Sequence, residues 1–71
     1  MTLQDMLDNF TIQGFVHLSV WDGDEEVSVR YINCTDDLGA AKFPKMWKGY
    51  EVTYMFAGTD GFLHIELRRG A

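Results

Sequence analysis

Cys34, His17 and His64 carry the groups in this chain that most often serve as nucleophile, base or soft metal ligand. Thiol catalysis would need a thiolate with an imidazole held beside it. Cys34 is followed by Thr35, Asp36 and Asp37, and nearby carboxylates disfavour a thiolate. No Cys-x-x-Cys or His-x-x-x-His spacing joins the three residues, so no transition-metal site is expected. The run Asp22-Gly23-Asp24-Glu25-Glu26 comes closer to a known pattern. Asp22, Asp24 and Glu26 take the first, third and fifth places of a calcium loop, which also needs glycine sixth and a bidentate glutamate twelfth. Val27 and Asn33 stand at those places, so the pattern fails. The sequence has no G-x-S-x-G, no P-loop and no G-x-G-x-x-G. Paired carboxylates are present, but a hydrolase also needs a cleft that a chain this short seldom builds. No catalytic residue, cofactor or metal is therefore assigned.

Two groups remain as candidate interaction residues. The first is acidic: Asp22, Asp24, Glu25, Glu26, Asp36 and Asp37. Residues 1–41 hold eight acids and one base, whereas residues 42–71 hold three acids and five bases. Such a dipolar chain suggests an acidic face that could meet a basic partner, although acidic turns also serve solubility alone. The second group is Phe43, Met46 and Trp47, in the segment Phe43-Pro44-Lys45-Met46-Trp47-Lys48. Aromatic residues and methionine are enriched in interface cores, and binding residues favour loops. The plainer reading is that these three cover the open side of a small sheet.

The elements that must position these residues follow from periodicity. Thr2 with Asp5 three residues later forms a short-acid capping box. Leu3, Met6 and Leu7 then give one apolar stripe, which predicts a helix over residues 2–8. From residue 10 to 21 the period changes to two, with Phe10, Ile12, Gly14, Val16, Leu18 and Val20 on one parity. This predicts a strand, and Asp22-Gly23 predicts the hairpin turn that ends it. A second strand is expected over residues 26–33, with Val27, Val29 and Tyr31 on one face. Pro44 interrupts the next segment and suits the first position of a single helical turn over 45–48. A third strand over residues 50–57 places Tyr50, Val52, Tyr54 and Phe56 on one parity. After the turn Gly58-Thr59-Asp60-Gly61, a fourth strand over 62–68 points Leu63, Ile65 and Leu67 inward and His64, Glu66 and Arg68 outward. The expected fold is α+β: a short N-terminal helix plus a four-stranded, curled antiparallel sheet built from two hairpins. Most of Trp21, Tyr31, Phe43, Trp47, Tyr50, Tyr54 and Phe56 are expected in the core.

Composition bounds the rest. With 71 residues, the chain is expected to form one domain, residues 1–71. A chain of this size buries roughly 60% of its unfolded surface, enough for one small core. Hydrophobic residues make up 46% of the chain and charged residues 24%, the profile of a globular protein rather than a disordered one. The net charge of −5 argues against direct nucleic-acid binding, which draws its affinity from clustered lysine and arginine. A lone cysteine, no signal-like start and no apolar run of membrane-spanning length point to the cytoplasm and away from membranes.

Several segments carry a resemblance. They are Met1-Thr2-Leu3-Gln4-Asp5-Met6-Leu7-Asp8-Asn9-Phe10, Ile12-Gln13-Gly14, Val20-Trp21-Asp22, Glu51-Val52-Thr53-Tyr54-Met55-Phe56 and Leu63-His64-Ile65-Glu66-Leu67. Over nearly its whole length the chain resembles small acidic proteins of gut Firmicutes and their prophages and mobile elements. The resemblance implies a bacterial or phage-infected cell and brings no catalytic motif with it. By analogy with small acidic phage proteins, it suggests an inhibitor or adaptor of a basic nucleic-acid-handling protein. The expected function is thus a non-enzymatic protein-binding module presenting an acidic face. One alternative is a homodimer assembled through a sheet edge. Another is a small thiol- or carboxylate-dependent enzyme.

Overall fold

The computed structural model describes residues 1–35 and 39–69. Helix α1 spans Leu3–Asn9. Its start is fixed by the capping box: the Asp5 N–H donates to Thr2 Oγ1 at 3.1 Å, and the Thr2 N–H donates to the Asp5 carboxylate at 3.0 Å. The Thr2 N–H, and after it the Thr2 hydroxyl, hold the Asp5 carboxyl below its ordinary range. Seven residues make too short a helix to stand alone. It is held by burial of Leu3 and Met6 and by backbone bonds at its N-terminal end, from Leu3 N–H to the Tyr50 carbonyl and from Val52 N–H to the Met1 carbonyl.

Four strands follow: β1 (Gly14–Asp22), β2 (Glu25–Cys34), β3 (Glu51–Ala57) and β4 (Phe62–Arg68). Gly23 at φ +66° and Gly61 at φ +85° close the two hairpin turns in the left-handed region that side chains disfavour. Two short 3-10 turns, Gly39–Lys42 and Lys45–Gly49, lie between the hairpins. The α+β class is as expected, but the sheet is mixed rather than antiparallel throughout. Its order is β2-β1-β4-β3. Each hairpin is antiparallel, and β1 and β4 run parallel to each other in the middle.

Burial explains that order. The inward residues of β1 are Val16, Leu18 and Val20, and those of β4 include Ile65 and Leu67, all buried. Across the parallel ladder they sit level as Val16 with Leu63, Leu18 with Ile65 and Val20 with Leu67. On β2 the residues level with Val20 and Leu18 are Ser28 and Arg30. A strand with polar residues at those places belongs at an edge, so the long connector carries the chain across to start β3 at the other edge. The connector helps cover the apolar side: Phe43 is buried, Trp47 packs on the core, and the Arg30 guanidinium lies 6.0 Å over the Trp47 ring.

Two local expectations are corrected. Residues 10–13 precede β1 rather than opening it, which leaves Phe10 exposed. In β3 the register slips between Val52 and Tyr54. This bulge leaves Val52 facing the core and turns Tyr54 and Phe56 to the other side.

Two substitutions test this scheme. Leu18→Ala should cost about 3 kcal/mol in urea unfolding, a large share of the stability of so small a domain. Thr2→Ala should cost about 1 kcal/mol through the lost cap.

Candidate functional site

A strand sends alternate side chains to opposite faces, and only one face of this sheet carries α1 and the connector. The opposite face is open, and the pairing registers lay out its side chains in rows. One row crosses all four strands as Tyr31, His17, His64 and Phe56. Its neighbours touch in sequence, with ring centroids 5.0 Å apart for Tyr31 and His17, 4.8 Å for the two histidines and 4.6 Å for His64 and Phe56. The last pair is stacked within 4° of parallel. Phe15 and Phe62 lie together in the row beyond it, 5.9 Å apart. On the other side lies the row Val29, Ser19, Glu66 and Tyr54. The Tyr54 ring reaches back to Phe56 at 5.4 Å. Tyr31 is 68% exposed and Tyr54 58%, and Phe15 and Phe56 are exposed as well.

This cluster is the candidate functional feature that sequence reasoning missed. Most of the seven aromatic residues expected in the core are not there; Tyr31, Tyr54 and Phe56 are exposed on the open face, and Phe43 alone of the seven is buried. The outward parity of His64 in β4 was a usable signal. For β3 the signal was hidden by the bulge, which no simple alternation reveals.

Polar groups hold the edges of the platform. His64 Nε2 lies 3.0 Å from an Asp60 carboxylate oxygen. The Phe62 N–H donates to the other oxygen at 3.0 Å. The Asp60 carboxyl is held below its ordinary range, first by the Phe62 N–H and further by His64, against a smaller opposing effect of desolvation. Because the folded value is lowered, this contribution to stability is present above about pH 4 and is lost as pH falls through the lowered value. Gly58 makes the arrangement possible: a Cβ there would run into the Asp60 carboxylate and the His64 ring. At the far end, Trp21 Nε1–H donates to Ser19 Oγ at 3.2 Å, which satisfies a buried hydroxyl. A hollow of about 300 Å³ opens there, lined by Trp21, Gly23, Asp24, Thr53, Glu66 and Arg68. No side-chain donor among the described residues lies within bonding distance of the Glu66 carboxylate.

The residues singled out from sequence divide differently. Asp22, Asp24, Glu25 and Glu26 are exposed together at the β1–β2 turn, with Asp22 bonded to Arg69 at 3.0 Å. Asp36 and Asp37 lie outside the described residues. Of the aromatic loop, Phe43 is in the core, Trp47 is half-buried against it and Met46 is 76% exposed. The plainer reading, a cover for the sheet, therefore describes Phe43 and Trp47. Cys34 is 1% exposed on the core side of the sheet, with both histidines on the opposite side, so the structure does not bring thiol and imidazole together. Among the described residues no group of three or more His, Cys, Asp or Glu is placed to hold a metal ion, and no helix is long and apolar enough to cross a membrane.

No family model matches the chain, and no curated protein or solved structure matches it.

Gly58→Ala should displace His64 from Asp60 and Phe56. The expected readout is a loss of about 1–2 kcal/mol in stability, with His64 and Phe56 ring resonances moving in the NMR spectrum while those of α1 stay in place.

Proposed function

We propose that this protein is a non-enzymatic binding module that receives a basic protein partner on its open sheet face. The observation that carries this reading is the row of rings across all four strands, with Tyr31 and Phe56 exposed and the two histidines half-buried between them. Monomeric proteins seldom leave a contiguous apolar surface uncovered unless something docks there. The chemistry of the occupant follows from charge. The chain carries −5 overall, and the face is bordered by Asp60 and Glu66, with Asp24 and Glu26 at the hairpin end. Cations are attracted both to aromatic faces and to this surrounding field. A nucleic acid would find rings to stack on, but phosphates would meet the wrong charge. The acidic group named from sequence keeps a part in this reading, as the border that steers encounter rather than as the docking surface itself. An inhibitor or adaptor acting on a basic nucleic-acid-handling protein in a bacterial or phage-infected cell fits the same chemistry.

The alternatives draw less support. A thiol enzyme would need Cys34 accessible and beside a base. A sheet-edge dimer would use β2, because Met1–Leu3 occupy the start of the β3 edge. A two-fold axis centred on the regular stretch 28–32 would set Arg30 against its own copy, and like charges directly opposite are destabilising.

A titration of the labelled protein with a polylysine–polyarginine mixed peptide, followed by NMR at low and high salt, tests the reading. Amide shifts should cluster at Tyr31, His17, His64 and Phe56, and affinity should fall with salt and with Asp24, Glu25 and Glu26 reversed to lysine. Shifts confined to α1 and the connector, or no binding at low salt, would overturn it.

A further inference from the structure

Resting on the reading of a basic partner, we infer that the open face selects arginine over lysine, and that Tyr54 with Glu66 forms a guanidinium subsite on it. Tyr54 and Glu66 are direct cross-strand partners in the β3–β4 register. Facing residues of this kind have Cβ atoms about 5 Å apart. A flat ring and a carboxylate-bearing side chain therefore start from adjacent positions on the same face. The ring is 58% exposed, and the carboxylate is half-buried without a bonded donor among the described residues. That combination matches a guanidinium closely. Its planar group stacks on an aromatic face while its N–H fork reaches a carboxylate edge-on, in two parallel hydrogen bonds. An ammonium has no plane to stack and makes a point contact, and it gives up more hydration on entering a half-buried site.

The surroundings favour a single cation at this place. Beyond Glu66 the hollow adds the Asp24 carboxylate, the Thr53 backbone bulge and the Trp21 indole. Its one resident cation is Arg68, which flanks Glu66 on the same strand face and pairs in register with Glu51. Two acids to one base leave the hollow short of one positive charge. Phe56, in ring contact with Tyr54, extends the stacking surface toward Asp60.

The test compares a capped arginine–serine repeat peptide with its lysine–serine twin of equal length and charge, using Trp21 and Trp47 fluorescence and calorimetry. The arginine peptide should bind about three- to tenfold more tightly, the range that one stacked, bidentate contact supplies. Glu66→Gln and Tyr54→Leu should each bring the two peptides to equal affinity, whereas Tyr54→Phe should retain the preference. Circular dichroism of each variant separates a lost subsite from a lost fold, and Tyr54→Phe supplies the readout if Tyr54→Leu fails to fold. Equal binding of both peptides to the unaltered protein would overturn the arginine assignment and leave the basic-partner reading standing. No binding of either peptide would overturn both. Tighter binding of oligodeoxythymidylate than of either peptide would likewise overturn both and make the face a base-stacking surface.

Discussion

The parallel ladder between β1 and β4 is the constraint on which the rest of the molecule depends. Val16, Leu18 and Val20 lie level with Leu63, Ile65 and Leu67, and these six side chains form the floor of the core. Each strand arrives as part of its own hairpin, so pairing the two most apolar strands fixes the other two as edges. The connector must then cross the sheet, and it crosses on the side of these six residues, where Phe43 is buried and Trp47 packs against the core. Helix α1 takes the remaining space and is tied at its N-terminal end by backbone bonds. One face of the sheet is thereby used up, and nothing of comparable size among the described residues is left for the other.

That asymmetry gives the open face its character. Side chains there are not buried by a second layer, so they pack sideways on one another. The row from Tyr31 to Phe56 is a chain of ring contacts within the plane of the surface. Asp60 fixes His64 within that row, and Trp21 bends over Ser19 farther along β1. Side chains ordered before a partner arrives lose less conformational freedom when it binds. The aromatic surface is thus held in shape by the protein itself.

Much of this was legible in the sequence, and the remainder failed for identifiable reasons. The capping box of Thr2 and Asp5, both hairpins and the inward set of β4 were all visible, because each depends on residues a few positions apart. The parallel pairing was not visible, since it joins segments nearly fifty residues apart. The polar residues Ser28 and Arg30 on β2 did carry the information that β2 is an edge strand. The aromatic face was misassigned for a different reason: hydrophobicity in an alternating strand marks a face but does not say which face. Tyr54 and Phe56 were grouped with Val52 by parity, and a one-residue slip sent them to the opposite side.

The bulge at Thr53 has the status of a frame shift inside a strand. Upstream of it, even-numbered positions are subject to core selection; downstream, the even positions are freed from the core and become available to binding. A single inserted residue thus separates two kinds of mutational tolerance within seven positions of β3. Tyr54 and Phe56 thus lie outside the set of side chains that builds the core. In that sense the bulge lets one short strand of a chain of 71 residues serve the core with one stretch and the open face with the next.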